Sequence, residues 1–166
     1  QAEPAELQQL EDQRCIFFPL FMTGYVIADL LLDSDWCGAQ QAVIGSASSK
    51  TGFSAAAFIR AAGFGGAWVG LTGEQNAAFA EGLGCYDRVI PYAQLEALSN
   101  QPSVCIGIAG DVDVRSRLHR HLEDHAVKTL LVGATHWDQF AKSVDGDALP
   151  GSEPEVFFAP AQIEKR

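Results

Sequence analysis

Short apolar runs alternate with helical patterns along most of this chain, and that alternation restricts its fold more than any other feature. Residues 42–45 form an apolar run that opens into a loop of small residues, and an alanine-rich helical pattern covers residues 51–62. The order then repeats, with a strand over 67–71 and a helix over 75–83, then a short strand over 88–90 and a helical turn around 94–98. Residues 104–108 predict a strand, 112–122 a helix and 127–132 a strand, and the run at 156–159 can close the sheet. Strands this uniformly apolar are expected inside a parallel sheet covered on both faces and joined by right-handed crossovers. The expected fold class is α/β, a three-layer, doubly wound parallel sheet of the Rossmann type. Residues 1–19 read as a linker or surface helix and residues 20–166 as one dinucleotide-binding domain.

Charge narrows the partners. The 166 residues carry 11 basic and 21 acidic side chains, a formal charge of -10, so no basic face is expected for nucleic acid. The apolar stretch from residue 15 to 32 contains Pro19, Thr23, Gly24 and Asp29, which favours a buried amphipathic helix over a membrane span. Cys15, Cys37, Cys85 and Cys105 form no C-x-x-C pair and have no histidine at ligand spacing. They read as reduced, mostly buried thiols of a cytoplasmic protein. The chain opens on Gln1, as a processed end or a piece of a longer protein would.

In an open parallel sheet the first strand-to-helix turn presents a helix N-terminus to phosphate. That turn is Gly45-Ser46-Ala47-Ser48-Ser49-Lys50-Thr51-Gly52. Set against G-x-G-x-x-G, the frame falls on Ala47, Ser49 and Gly52, with two glycines replaced by small residues. Small residues still let backbone approach a pyrophosphate, and Gly52 still permits close packing of helix on sheet. A P-loop reading fails on spacing, because Gly45 lies five positions before Lys50 and Ser49 stands where the second glycine is needed. A serine-rich structural turn with no ligand is the remaining alternative.

The second strand ends in Leu71-Thr72-Gly73, where an NAD-binding protein places a carboxylate on the ribose hydroxyls. Its absence leaves room for a 2′-phosphate, so NADP is expected as cofactor and NAD less so. Lys50 is the only basic residue between Arg14 and Arg60 and the nearest cation for that phosphate or for the pyrophosphate, unless it is simply solvated. His136 and Trp137 follow the strand at 127–132; His136 is the candidate proton donor and Trp137 a candidate pocket wall. His119, His121 and His125 lie among Arg115, Arg117 and Arg120 and read as a solvated basic helix face, with no metal site expected. No G-x-S-x-G elbow is present.

Thr23-Gly24-Tyr25, the loop from Ala47 to Gly52, Leu83-Gly84-Cys85-Tyr86-Asp87-Arg88-Val89-Ile90 and Val132-Gly133 together resemble the cofactor domain of medium-chain dehydrogenases and quinone reductases. The segments Ser46-Ala47-Ser48-Ser49-Lys50-Thr51, Leu83-Gly84-Cys85-Tyr86-Asp87, Val132-Gly133-Ala134-Thr135-His136-Trp137 and Phe157-Phe158-Ala159-Pro160 are similar to one branch of it, domain of unknown function 2855. The resemblance implies cofactor contacts at Ala47, Ser48, Ser49, Lys50, Thr51, Gly52, Thr72, Gly73, Gly133 and Phe158. It also implies a preceding GroES-like catalytic domain, absent here. In zinc-dependent relatives a cysteine ligand stands at the position of Pro19, so the resemblance favours the zinc-free branch. Gly107 departs from it, because relatives commonly carry Asp there.

Two functions follow as expectations. The first is an NADP-linked, zinc-independent reductase, or its cofactor domain, acting on a small-molecule activated carbonyl or alkene. The second is a degenerate Rossmann domain used for assembly, as a homo-oligomer or with a missing domain, through Phe157, Phe158 and the N-terminal apolar helix.

Overall fold

The computed structural model describes residues 10–133 and 149–165. Its centre is a six-stranded, wholly parallel sheet built from β1 (Gln41–Ile44), β2 (Ala67–Thr72), β3 (Arg88–Pro91), β4 (Ser103–Gly107), β5 (Ala126–Val132) and β6 (Pro154–Phe157). The strand order β3-β2-β1-β4-β5-β6 is that of the doubly wound fold expected from the alternation. The chain leaves β1 toward β2 but leaves β4 toward β5, so the direction of winding reverses between β1 and β4.

Because successive strand residues face opposite sides, the two halves of the core can be read residue by residue. Ala42, Ile44, Val104 and Ile106 pack on one side beneath the helices α1 (Glu11–Asp33) and α2 (Lys50–Ala61). Val43 and Cys105 face the other side, where they meet Leu118 and Leu122 of α4 (Val112–Leu122). The short helices α3 (Ala77–Gly82) and α5 (Ala159–Ile163) follow β2 and β6.

Three boundaries differ from expectation. Helix α1 begins at Glu11 and runs through Pro19, so residues 11–19 take the surface-helix alternative and are continuous with the helix expected to start only after Pro19. Proline removes one intrahelical donor, and the Thr23 hydroxyl donates to the Pro19 carbonyl at 2.8 Å. The turn after β3 is a 3-10 helix, Tyr92–Ala97, and the last strand ends at Phe157.

Burial also departs from expectation in places. Gly24, Val26, Ile27, Ala28 and Leu31 of α1 are buried, whereas Ile16, Phe18, Phe21, Tyr25 and Leu32 are exposed. By length and composition alone α1 could cross a membrane; within the fold its C-terminal half is a core helix and its N-terminal half projects an apolar surface. Of the thiols only Cys105 is buried; Cys15 is exposed, and Cys37 and Cys85 are partly so. Helices α1 and α2 cross at Gly24, where a β-carbon would overlap Ser54 Oγ and approach the Ala55 backbone nitrogen to 2.7 Å.

Candidate functional site

The loop after β1 is fixed from several sides. The Gly45 amide donates to the Ile106 carbonyl at 2.8 Å, and the Ala47 amide to the Leu71 carbonyl at 2.9 Å, so both neighbouring strands hold it. Ser46 takes a left-handed conformation, φ 52°, and its amide donates to the Tyr92 hydroxyl at 2.9 Å. Tyr86 donates its hydroxyl to the Ala47 carbonyl at 3.0 Å; burial pushes that phenol's pKa far up, so it stays a protonated donor.

Ser49 caps α2 by accepting from the Gly52 amide at 3.0 Å. The first amides of that helix, on Lys50 and Thr51, have no partner within it. Close approach requires glycine at two positions, Gly52 of the degenerate frame and Gly70 of β2. A β-carbon on Gly52 would lie 2.6 Å from the Ser46 carbonyl oxygen, and one on Gly70 would lie 2.7 Å from the Ala47 methyl. On the β2 side, Ser48 Oγ and Thr72 Oγ1 are 3.2 Å apart and Gly73 follows directly. Ala47, Ser48, Ser49, Lys50, Thr51, Gly52, Thr72 and Gly73 therefore gather at the carboxyl ends of β1 and β2.

The remaining candidates spread further. Gly133, φ +77°, ends β5 beside the β4 loop, its β-carbon position 3.3 Å from the Ile108 carbonyl. Phe158 is 63% exposed and stands at the start of α5, whereas Phe157 is buried in the core and is not available to an interface. The Lys50 ammonium lies 5.5 Å from the centre of the Phe17 ring of α1. His136 and Trp137 lie outside the described residues.

A narrow cleft, partly open to solvent, lies where the winding reverses. It runs from Gly45 and Ser46 across Leu71 and Tyr92 to the β4 loop and the inner face of α4. Asp111 begins that face by capping α4, its Oδ1 accepting from the Val114 amide at 3.0 Å. The walls are mainly apolar, and Arg115 and His119 bring polar atoms to them.

His119 corrects the expectation of a solvated histidine face, because it is fully buried. Its Nδ1 donates to the Pro150 carbonyl at 2.8 Å, so the Thr129 hydroxyl, 3.1 Å away, donates to its Nε2. Ser152 in turn donates to Thr129 at 3.3 Å, and the chain of bonds ties the segment before β6 to α4 and β5. Burial lowers the His119 pKa, the Pro150 bond opposes that shift and the Arg115 charge adds to it. The shift favours the neutral imidazole in the folded protein. A depressed histidine pKa leaves folding stability intact above the ordinary value of 6.5 and erodes it as pH falls from there toward the folded value. Urea unfolding between pH 8 and pH 5, about one and a half units either side of 6.5, should give a declining stability that flattens in His119→Gln.

The other histidines have structural partners too, His121 with the Leu98 carbonyl at 2.8 Å and His125 with the Asn100 side-chain oxygen at 2.6 Å. Among the described residues no group of three or more His, Cys, Asp or Glu could hold a metal ion. Cys105 also lines the cleft, and burial pushes its thiol up to about 12, which makes it a poor nucleophile.

The sequence reading missed Tyr86, Tyr92, Asp111 and Arg115. Asp111 carried a signal, an acidic residue directly before an apolar helical pattern. The tyrosines carried none, since they reach the loop across 39 and 46 residues of sequence.

A family model described as protein of unknown function (DUF2855) matches residues 1–166. No curated protein matches the chain.

Proposed function

We propose a dinucleotide-binding role for this chain, which belongs to the DUF2855 family. The observation that carries the reading is the reversal of winding between β1 and β4, with the loop after β1 beside it, because open parallel sheets bind ligands at that point, beyond the carboxyl ends of their strands. The residues present fit such a ligand. Gly52 and Gly70 leave the backbone no room for side chains, and the amides of Lys50 and Thr51 with the hydroxyl of Ser48 can meet a pyrophosphate. Ser48, Thr72 and Gly73 line the ribose side, with no carboxylate on the strand tip to repel a 2′-phosphate. The reading is therefore NADP in preference to NAD.

The bound nicotinamide would supply a hydride, and the chain would bind and orient it. The likeness to medium-chain dehydrogenases and quinone reductases supports zinc-independent reduction of an activated carbonyl or alkene, with His136 as proton donor. Calorimetric titration with NADPH and NADH tests the reading. NADPH should bind at one site and NADH about tenfold more weakly; equal or tighter binding of NADH would remove the preference, and binding of neither would remove the role.

The exposed apolar face of α1 favours a second reading, assembly through Ile16, Phe18 and Phe21 with Phe158. Light scattering separates the two, since a strictly monomeric chain that binds dinucleotide counts against assembly.

A further inference from the structure

Helix α1 carries two apolar stripes. Gly24, Ile27 and Leu31 belong to the first, and all three are buried in the fold. The second lies one residue further along, so about 100° around the helix, and consists of Phe18, Phe21, Tyr25 and Leu32 with the small Ala28 between the last two. Phe18 is 67% exposed, and Phe21, Tyr25 and Leu32 are 37%, 49% and 47% exposed. Two of these rings are already held from one side by α2. Phe21 meets Phe53 edge-on with 6.1 Å between ring centres, and Tyr25 meets Phe58 at 5.6 Å. Side chains ordered in this way lose little further freedom when their outer sides are covered.

Spacing, area and charge together indicate what covers the stripe. Apolar residues three and four apart form the seam of a helix pair, so the stripe fits a second helix. At about 200 Å² for a large side chain, its exposed fractions amount to roughly 400 Å² of apolar surface. A stable dimer takes about 800 Å² from each partner, a little over half of it apolar, so the stripe supplies most of that apolar share. Arg14 stands four residues before Phe18 and Asp29 four after Tyr25, which puts opposite charges at the two ends of one stripe. An antiparallel copy sets Arg14 near the other copy's Asp29 at both ends and Phe18 near its Tyr25, whereas a parallel copy sets like charges together. An anionic bilayer is disfavoured for a chain of charge -10.

We propose that α1 pairs with α1 of a second copy of this chain, antiparallel about a two-fold axis close to Phe21, through Phe18, Phe21, Tyr25 and Leu32. Such a contact uses the same patch on both copies and closes at two. The inference rests on the assembly reading, whose partner it names, and is independent of dinucleotide binding.

Sedimentation equilibrium of the full chain tests it, with Phe18→Asp and Tyr25→Asp on the stripe and Phe79→Asp, at an exposed phenylalanine of α3, as the control. The parent chain should be a mixture of monomer and dimer at micromolar concentration. Each α1 variant should raise the dissociation constant by about tenfold or more, and Phe79→Asp should leave it within about twofold. Phe18→Asp carries the test if Tyr25→Asp, which loses a ring contact to α2, does not fold. Arg14→Glu should weaken the dimer and the further change Asp29→Arg should restore it; failure of the pair to restore it would overturn the antiparallel arrangement. A dimer left intact by Phe18→Asp would keep self-association and remove α1 from it. A parent chain that stays monomeric would overturn both ideas, and its binding to phosphatidylcholine vesicles, lost in Phe18→Asp, would give the stripe to a lipid surface instead.

Discussion

Gly24→Val should destabilise the fold by about 1–3 kcal/mol, read as a lower urea midpoint with an unchanged slope. The reason lies in the crossing of α1 and α2. A β-carbon at Gly24 would overlap Ser54 Oγ and sit 2.7 Å from the Ala55 nitrogen and 2.8 Å from the Ser54 carbonyl carbon, and the last two are backbone atoms that cannot rotate away. Ser54 has a second role in that contact, since its hydroxyl donates to the Leu20 carbonyl at 3.2 Å. Forcing the helices apart therefore costs packing around Ile27, Ala55 and Ile59 as well as this bond. A variant with unaltered stability would mean that α1 is not seated where the structure places it.

Gly52→Val should produce the largest loss at the proposed site, a fall in NADPH and NADH affinity of about tenfold or more with both affected alike. A β-carbon there would press on the Ser46 carbonyl oxygen at 2.6 Å and on the Ser49 capping hydroxyl at 3.0 Å. The loop would have to move outward, taking with it the first-turn amides of α2 that are proposed to meet the pyrophosphate. Comparable loss for both nucleotides is expected because they share the pyrophosphate. Unaltered affinity for both in a folded variant would place the pyrophosphate elsewhere.

Much of the architecture could be read from residues alone, because buried parallel strands leave a simple trace. Runs such as Ala42-Val43-Ile44 and Val104-Cys105-Ile106 are apolar on both faces, and both sit centrally in the sheet. The bounds of α4 were equally legible, from the capping position of Asp111 and the inward pair Leu118 and Leu122 one turn apart. The first turns of α1 were not. Pro19 reads as a boundary, yet the helix absorbs it on a largely exposed stretch, where the carbonyl left without a donor can turn to water. His119 was misread because three arginines surround it in sequence, whereas one turn of helix is enough to put Leu118 and His119 inside and Arg120 outside.

The glycine frame was visible as a string of small residues, but the reasons for its Gly52 and for Gly70 on β2 were not. Gly52 answers to Ser46 within the same loop, a local relation, whereas Gly70 answers to Ala47 and the Tyr86 ring from other elements. Tyr92 reaching the Ser46 amide and Arg115 entering the cleft depend on how β3, β4 and α4 are placed by the sheet order. Such contacts form only after the topology is set, and no spacing rule in one sequence encodes them.

Amide chemical-shift mapping of the isotope-labelled chain with added NADPH tests the central claim most directly, since it reports both binding and its place. Saturable shifts are expected at residues 46–52 and 72–73, in the loop after β1 and at the tip of β2, and at residues 107–111 in the loop after β4, with α1 unaffected. Shifts confined to α1, or none at concentrations that saturate ordinary dinucleotide sites, would contradict a dinucleotide site at the reversal between β1 and β4.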